Sequence, residues 1–344
     1  MLFSSFIFIL LFLPATLLGW HIASRVAGGR FVLGVLVVAS LFFYGWWNPA
    51  YLALLLVSIT GNYVLGLMLH QDQQSRIHLA AGITFNLGLL GYFKYAEFFS
   101  IGGTEYGSWR LEDVALPLAI SFFTFQQIAY LVDVYRGESA ERDPLRYVLF
   151  VSFFPQLIAG PIVHHKEMLP QFLGMGRTGV TSRNLAIGGS IFLLGLGKKV
   201  LIADSLGGFA DPMFNAVTAG VDPTLFEAWG VTLAYTFQIY FDFSGYSDMA
   251  IGLGAMFGLR LPINFNSPYK ATSIIDFWRR WHMTLSRFLR DYLYIPLGGS
   301  RRNVPGRYVN LMIVMLLGGL WHGAGWTFIL WGGVHGIYLV INHG

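Results

Sequence analysis

The sequence predicts an all-α polytopic membrane protein, a bundle of transmembrane helices with re-entrant segments. Of its 344 residues, 55% are hydrophobic and only 12% carry a charge. A soluble domain usually carries about 25% charged residues. Several apolar runs also approach the roughly 20 residues that a helix needs to cross a bilayer. These properties together exclude an ordinary soluble protein.

Apolar segments of sufficient length recur along the whole chain. The candidate spans are Leu2–Trp20, Phe31–Trp47, Tyr51–Leu69, Ile77–Phe93, Leu116–Val134, Leu185–Leu206, Leu225–Phe243, Tyr308–Trp321 and Thr327–Asn342. A further apolar segment, Tyr147–Val163, is interrupted by Pro155, Gly160 and Pro161. Broken backbone at membrane depth is tolerated only where protein or a water-filled cavity covers it. We therefore expect Tyr147–Val163 to be re-entrant.

The distribution of charge supports a re-entrant segment. Lys and Arg are enriched in the cytoplasmic loops of membrane proteins. Arg146 precedes Tyr147–Val163 and Lys166 follows it, so both flanks are cytoplasmic only if the segment returns to the side from which it enters. On this pattern the acidic loops around Glu105 and Asp222 face outward, and the arginine-rich segment 260–307 faces the cytoplasm.

The absence of cysteine and the modest net charge restrict the chemistry. No cysteine is present, which excludes disulfides, thiol nucleophiles and thiolate metal ligands. The net charge is only +4, and we expect no nucleic-acid partner. The last apolar run reaches His343 and Gly344 without a polar stop, so we expect the chain to be part of a longer protein.

His322 ends a long uncharged stretch that begins at Tyr308. An ionisable side chain inside a membrane span is costly, so its default interpretation is a functional site. A neutral imidazole suits a general base, for example one that deprotonates a hydroxyl for attack on an acyl carbonyl. The alternative is a structural histidine in an interhelical hydrogen bond.

His282 lies in the run Phe277-Trp-Arg-Arg-Trp-His-Met-Thr-Leu-Ser286. The surrounding segment Ile275–Leu293 has the pattern of an amphipathic helix near a membrane surface. Its arginines either anchor that helix or bind an anionic donor, because guanidinium suits phosphate. The candidate donor- or substrate-binding residues here and beside His322 are Arg279, Arg280, Trp281 and Trp321.

A metal site is not favoured. His282, His322 and His335 could in principle bind one ion, but no His-x-x-x-His pair or clustered carboxylate supports it. For His164 and His165, a solvated turn in a basic loop is the favoured interpretation.

A second polar motif is Tyr240-Phe-Asp-Phe-Ser-Gly-Tyr-Ser-Asp-Met249. Carboxylates at a span end usually pair with arginine or cap a helix. We expect Asp242 and Asp248 to pair with arginines of 279–290, and we include Asp242 and Ser244 among the candidate donor-binding residues. A proton relay is the alternative. Other polar residues within spans are expected to line a channel to the site, namely Gln126, Gln127, Asp133, Lys198 and Lys199.

These motifs resemble the membrane-bound O-acyltransferase superfamily, in the bacterial branch of the alginate O-acetylation membrane proteins. The pieces that carry the resemblance are Ser121-Phe-Phe-Thr-Phe-Gln126, Phe154-Pro-Gln-Leu-Ile-Ala-Gly-Pro-Ile162, Phe241-Asp-Phe-Ser-Gly-Tyr-Ser-Asp-Met-Ala250, the run 277–286 with Arg290-Asp-Tyr292, and Trp321-His-Gly323. A sister branch that moves D-alanine for teichoic acids shares the histidine-containing elements.

The resemblance implies a fold, an activity and partners. It implies one family domain over residues 1–344, truncated at its C-terminus, with helices around a central tunnel in the bacterial inner membrane. It implies an acetyl group taken from a cytoplasmic donor, acetyl-CoA, without a tightly bound cofactor. The group would pass across the lipid bilayer to periplasmic acetyltransferase-type proteins that modify an exopolysaccharide.

The resemblance also implies that His322 is the essential histidine and His282 the second catalytic position. We predict that His322 handles the proton. His282 would position the donor or its carbonyl by donating a hydrogen bond.

Two other classes of function remain open at this stage. A transporter or flippase for a lipid-linked saccharide would use the same broken helices and midplane polar groups. It would tolerate His322→Gln if transport survived, whereas an acyltransferase would lose transfer. A non-catalytic scaffold of a secretion complex is the third candidate, and the presence of both histidines argues against it.

Overall fold

The computed structural model describes residues 1–26, 28–95, 98, 116–175, 179–301 and 303–343. Within these ranges the secondary structure is helical and contains no strand. This confirms the predicted all-α class. The predicted outward loop around Glu105 lies outside the described residues.

The described part of the chain contains a series of α-helices. In order they are α1 Leu13–Val26, α2 Gly29–Gly45, α3 Pro49–Gln71, α4 Arg76–Leu90, α5 Ile120–Tyr135, α6 Pro144–Ser152, α7 Phe154–Leu157, α8 His165–Leu173, α9 Ser182–Gly197, α10 Asp204–Thr218, α11 Leu225–Met256, α12 Ile274–Arg280, α13 Met283–Leu289, α14 Val304–His322 and α15 Trp326–His343. Segments of π-helix lie at Phe8–Phe12, Gly91–Tyr95, Lys198–Ala203 and Arg290–Tyr294.

Local sequence signals explain several helix starts. Asn48 accepts a hydrogen bond from the backbone of Ala50, and Pro49 occupies the first turn, where the missing N–H costs nothing. Thr224 and Glu227 form a reciprocal capping box at the start of α11. Such caps satisfy the amide groups that have no partner inside the helix.

Among the described residues, four helical stretches are long and apolar enough to cross a membrane. They are Phe8–Val26, Pro49–Gln71, Ser182–Thr218 and Val304–His322, and Gly29–Gly45 is a shorter apolar helix. Large apolar side chains such as Leu193, Leu194 and Leu201 point away from the protein interior. A soluble monomer rarely exposes contiguous apolar surface, so these faces fit contact with lipid. The protein is therefore an integral, polytopic membrane protein.

The chain forms two compact units. Unit 1 consists of Met1–Trp47, Phe153–Pro161 and Pro170–Ile263, and unit 2 of Asn48–Ser152, Ile162–Leu169 and Asn264–Gly344.

The core of unit 1 combines packed phenylalanine rings with close helix contacts. Phe12 meets Phe154 edge-on at 5.2 Å, and Phe43 lies 5.4 Å from Phe154. Glycines on α9 allow it to pack closely against α11. A Cβ at Gly188 or Gly195 would lie only 2.5–2.6 Å from the backbone of α11. Small residues of this kind let membrane helices pack backbone against backbone.

The first helix of the interrupted segment is too short to cross a bilayer by itself. Its first part, α6, has nine residues and rises only about 13.5 Å, whereas the hydrocarbon core is about 30 Å thick. The chain then breaks at Phe153 before α7. Lys166 lies 2.8 Å from Glu138, which precedes the segment, so the two flanks meet again. This return of the chain fits the re-entrant interpretation, and the position of the segment relative to the membrane stays a prediction.

Candidate active site

His322 is the last residue of α14 and borders a cavity of about 260 Å³ in unit 2. The helix ends there because Gly323 adopts an extended backbone, with φ −164° and ψ 149°. A Cβ at Gly323 would overlap the ring of Phe328, so glycine is required where the chain turns toward α15. The imidazole is thus presented at a helix end.

Two glycines bring α14 and α15 into contact beside His322. A Cβ at Gly319 would overlap the backbone of α15, and a Cβ at Gly332 would overlap the backbone of α14. Small residues permit this close approach of membrane helices. As a result, the Trp331 indole lies edge-on to the His322 ring, with the centroids 5.1 Å apart.

The cavity wall combines aromatic, basic and small side chains. It includes Trp278, Arg279, Arg290, Gly318, His322 and Trp331. Pockets that enclose a drug-sized ligand usually measure roughly 300–1,000 Å³, so this cavity suits a short acyl group with the adjoining atoms of its carrier. The His322 ring makes no hydrogen bond to any residue that the structure describes, which leaves both ring nitrogens available to a substrate.

His282 lies where the predicted amphipathic helix breaks. The structure ends α12 at Arg280 and begins α13 at Met283, so the interpretation of Ile275–Leu293 as one helix is wrong. His282 adopts the left-handed conformation, with φ 42° and ψ 53°, which is uncommon for a residue with a side chain. A backbone hydrogen bond stabilises the break: Met283 N–H donates to the Asn264 carbonyl at 2.9 Å.

The His282 ring is anchored by a buried hydrogen-bond network. Its Nδ1 lies 3.0 Å from Oδ1 of Asn264, which also lies 2.9 Å from the Thr284 hydroxyl. The backbone N–H of Ile162 donates to the same hydroxyl at 3.0 Å. His282, Asn264 and Thr284 are each at most 2% exposed, so these polar groups depend on one another and not on water.

A single indole contacts both histidines. The Trp321 ring lies 6.2 Å from the His282 ring and 4.9 Å from the His322 ring, measured between centroids. Trp321 is itself stacked on Phe125 at 5.3 Å. The structure therefore brings together three of the residues singled out in the sequence, although 282 and 321–322 belong to different helices.

The two candidate arginines, Arg279 and Arg280, make different contacts. Arg279 lines the cavity. Arg280 instead forms an ion pair with Asp276 of the same helix, with Nε 2.9 Å from Oδ2. Trp281 is stacked on Phe277 at 5.6 Å and does not line the cavity that His322 borders. Of this group, Arg279 is the residue placed to contact a donor.

Asp242 and Ser244 lie in unit 1, within α11. Asp242 forms an ion pair with Lys199, and Asp248 forms one with Lys198, each at 2.6 Å. The expectation that these carboxylates pair with arginines of 279–290 is therefore wrong. Two adjacent lysines of the π-helical segment 198–203 are closer partners, and the sequence had indicated them only as channel-lining groups. Ser244 is buried.

Lys94 is a site residue that the sequence analysis did not single out. Its ammonium donates to the carbonyl of Trp321 and, at 2.9 Å, to the hydroxyl of Ser121. The adjacent Tyr95 hydroxyl donates to the Leu320 carbonyl at 2.8 Å. These two side chains cap the last turn of α14, the helix that ends at His322. A signal was present, since Lys94 directly follows the apolar run Ile77–Phe93, where a charged residue is unexpected.

Other polar residues of unit 2 hold helices together and do not line the cavity. Gln126 donates to the Phe150 carbonyl, and Gln127 donates to the Ser58 hydroxyl, both at 2.8 Å. These residues are buried, as expected for interhelical hydrogen bonds. The expectation that they line a channel gains no support from the cavity wall.

The His164–His165 pair is not a solvated turn. His165 is buried, and its Nδ1 lies 3.6 Å from the buried carboxylate of Asp133. Tyr292 donates to the same carboxylate at 2.8 Å and lies 3.1 Å from Nδ1 of His164. The predicted solvated turn is therefore wrong, because a buried acid on α5 draws both rings inward.

His335 does not converge with the other two histidines on one point. Its ring contacts Trp331, the indole that also contacts His322, with the centroids 4.7 Å apart. Across the described ranges, no three histidine, aspartate or glutamate side chains form a group that could hold a metal ion.

Comparison with known proteins places this site in a family context. The model of the membrane-bound O-acyltransferase family matches residues 138–343. This range includes Asn264, His282 and His322, but not Lys94.

Two of the named relatives match nearly the whole chain, and a third matches about two thirds of it. The chain is 49% identical to a peptidoglycan O-acetyltransferase of Helicobacter pylori, covering 99% of this chain and 70% of the relative. It is 45% identical to a probable alginate O-acetylase of Azotobacter vinelandii, covering 99% of this chain and 68% of the relative. A teichoic acid D-alanyltransferase of Streptococcus thermophilus is 30% identical, over 65% of this chain and 56% of its own length.

Proposed function

The chain belongs to the membrane-bound O-acyltransferase family and is an O-acyltransferase, and from this premise we propose that it transfers acetyl groups for the O-acetylation of a polysaccharide. The acetyl group would come from a cytoplasmic donor and cross the membrane through the protein. The observation that carries the proposal is the position of His322 on the wall of a small cavity, beside Arg279 and close to the indole that also contacts His282.

The size of the cavity favours a short acyl group. A volume of about 260 Å³ accommodates a two-carbon acyl group and part of its carrier. The relatives named above as O-acetyltransferase and O-acetylase support an acetyl group. The relative named as a D-alanyltransferase makes a D-alanyl group the second candidate.

The arginines of the cavity favour an anionic donor, and we propose acetyl-CoA. Arg279 and Arg290 both border the cavity, and Arg290 also forms an ion pair of 2.7 Å with Asp291. A guanidinium binds phosphate through paired hydrogen bonds, and the coenzyme carries phosphates while its thioester is uncharged. The proposed arrangement directs the phosphates to the arginines and the thioester to the histidine end of the cavity.

The histidine pair would supply acid–base catalysis. The hydroxyl oxygen of the acceptor forms a bond to the acetyl carbonyl carbon as its proton leaves to an imidazole. The carbon–sulfur bond breaks, and the proton ends on the departing thiol. General acid–base catalysis of this kind contributes about 10²–10⁴ in rate. Trp321, Trp331 and Trp278 surround the site and limit the access of water, which would otherwise hydrolyse the thioester.

We propose the bacterial inner membrane as the location and periplasmic acetyltransferase-type proteins as the partners that receive the acetyl group. Both named acetyl-transferring relatives are bacterial, and their names refer to peptidoglycan and to alginate. Membrane lipid would surround the apolar faces of both units.

The experiment that tests the proposal follows the label from donor to acceptor. The full chain is reconstituted in lipid nanodiscs with acetyl-CoA labelled in its acetyl group, with and without a periplasmic extract that contains polysaccharide. We expect label to enter an alkali-labile ester of the polysaccharide and His322→Ala to prevent this. A parallel reaction uses a labelled D-alanyl donor. Transfer from that donor alone would mean that the transferred group is D-alanyl and not acetyl. No transfer from either donor would contradict the proposal.

A further inference from the structure

The hydrogen-bond network behind His282 has a defined direction. The backbone N–H of Ile162 can only donate, and it donates to the Thr284 hydroxyl oxygen at 3.0 Å. The hydroxyl hydrogen is then directed to Oδ1 of Asn264, 2.9 Å away. The backbone N–H of Thr284 also donates to this Oδ1, at 3.3 Å. Both hydrogens that Thr284 contributes to the network therefore point toward Oδ1 of Asn264.

The direction of the network determines which nitrogen of His282 carries hydrogen. Two donors from Thr284 identify the facing atom of the Asn264 amide as its oxygen, because an NH₂ group could not accept them. The Nδ1 of His282, 3.0 Å from that oxygen, must then carry a hydrogen. A neutral imidazole has one N–H, so Nε2 holds a lone pair.

We infer that Asn264 and Thr284 are positioning residues, which hold neutral His282 with its hydrogen on Nδ1 so that the ring enters acyl transfer as a proton acceptor at Nε2. This inference rests on the proposed function and assigns the roles within its histidine pair. It replaces the division of labour predicted from the sequence, because a neutral His282 held in this way has no hydrogen to donate to the acyl carbonyl.

The backbone fixes the ring as firmly as the side chains do. The left-handed conformation of His282 would be strained in isolation. It persists because Asn264 holds the two residues that follow His282, its carbonyl accepting from Met283 N–H at 2.9 Å and its side chain binding Thr284. One asparagine thus sets both the position of the imidazole and its tautomer.

The environment keeps the acceptor nitrogen free of a proton before the reaction. His282 lies outside the apolar spans, and burial, with a smaller contribution from the adjacent His322, lowers the pKa of its imidazole below the usual value. The ring is therefore neutral near pH 7. In the reaction, the acceptor hydroxyl gives its proton to Nε2 as its oxygen bonds to the acetyl carbon.

Asn264 also suits the state that follows proton transfer. The imidazolium keeps its Nδ1–H directed at Oδ1 of Asn264, and a hydrogen bond from a charged donor is stronger than one from a neutral donor. His322, whose ring nitrogens make no hydrogen bond to the described residues, is able to donate to the acyl oxygen. The proton then passes from the histidine pair to the departing thiol.

The tautomer can be measured without relying on activity. The full chain, labelled with ¹⁵N in its histidine rings and reconstituted in nanodiscs, is compared with His282→Asn to identify the signals of this residue. We expect a protonated Nδ1 and an unprotonated Nε2 for His282 in the wild type. A hydrogen on Nε2 at neutral pH would overturn the inference even if acetyl transfer is confirmed.

Kinetics test whether the positioning matters for the reaction. Thr284→Ser keeps the hydroxyl, and we expect near wild-type kcat; Thr284→Val removes it, and we expect kcat to fall about tenfold or more with little change in KM for acetyl-CoA. Asn264→Asp keeps the acceptor oxygen and adds charge, so the acidic limb of the pH–rate profile should move to higher pH, because an adjacent anion raises the pKa of imidazole.

The outcomes separate this inference from the proposed function. Absence of any acetyl transfer by the wild type would contradict the proposed function while leaving the tautomer measurable. Equal kcat in Thr284→Val and Thr284→Ser, together with an unshifted pH profile in Asn264→Asp, would show that the network only supports the fold.

Discussion

Lys166 and Glu138 form an ion pair of 2.8 Å that joins the two flanks of the interrupted apolar segment. Next to it, Arg287 binds Glu167 through two hydrogen bonds, of 2.6 and 3.2 Å. Both contacts belong to unit 2. The first of these contacts brings the beginning and the end of the segment together, as the charge pattern of the sequence predicts.

The topology can be tested by single cysteines, because the natural sequence contains none. We expect Arg142→Cys and Lys166→Cys each to react with a membrane-impermeant maleimide only after the inner membrane of spheroplasts is opened. The reason is that both positions flank a segment that returns to its side of entry. Labelling of one of the two in intact spheroplasts would mean that Tyr147–Val163 crosses the membrane.

Replacement of His322 should abolish acyl transfer without preventing folding. We expect His322→Ala to lower the rate by about 10²–10⁴, the usual contribution of a general acid or base. His335→Ala is the matched control, because His335 also contacts Trp331 but does not border the cavity. Similar losses in the two variants, at equal amounts of inserted protein, would argue against a catalytic role for His322.

Lys94 should matter for the stability of the helix end that presents His322. A helix leaves its last carbonyls without partners, and a cation there is favourable. Lys94→Met removes a charge-assisted hydrogen bond to the Trp321 carbonyl, so we expect a loss of about 1.5–3 kcal/mol in unfolding free energy. Tyr95→Phe removes one neutral hydrogen bond and should cost about 1 kcal/mol.

Denaturation of purified variants in detergent would measure this difference. Lys94→Arg keeps a cationic donor and serves as the control. If Lys94→Met were as stable and as active as Lys94→Arg, the ammonium would not hold the end of α14.

The sequence predicted the chemistry-bearing residues better than their contacts. His322 could be identified because an ionisable side chain at the end of an apolar stretch is rare and costly. The break at His282 could not, because the local pattern of apolar and basic residues continues through it. What imposes the left-handed turn is Asn264, a neutral residue in an irregular segment, acting through tertiary hydrogen bonds.

The same reasoning explains the two errors in charge pairing. Asp242 and Asp248 were assigned to arginines because those are the most numerous cations, but helix packing places lysines 198 and 199 opposite them. Lys94 was overlooked because its partners lie on α5 and at the end of α14. A sequence shows that an intramembrane charge needs a partner but not which distant element supplies it.

The ion pair between Lys198 and Asp248 should stabilise unit 1 and should not bind the donor. Removing one partner leaves the other charge poorly solvated, so we expect Lys198→Met or Asp248→Asn alone to be less stable than the double variant. KM for acetyl-CoA should be unchanged in the double variant. A double-mutant cycle from thermal denaturation, with KM measured in parallel, would check both statements, and a raised KM would restore the donor-binding role first expected for this motif.

The contact between α14 and α15 allows a test with neighbouring glycines. A Cβ at Gly332 would overlap the backbone of Met315, whereas a Cβ at Gly333 would make an ordinary contact of 3.6 Å with the flexible side chain of Leu316. We expect Gly332→Ala to cost about 1–3 kcal/mol, the usual range for overpacking, because a backbone cannot move aside as a side chain can. Gly333→Ala should be close to neutral.

The effect of Gly332→Ala should extend to catalysis. Separating the two helices moves the Trp331 ring away from the His322 ring, which it now meets at 5.1 Å, and enlarges the cavity at its reactive end. We therefore expect lower kcat for acetyl transfer and more hydrolysis of acetyl-CoA without acceptor in Gly332→Ala than in Gly333→Ala. If the two variants transfer and hydrolyse at the same rates, the close helix contact serves stability alone and does not shape the site.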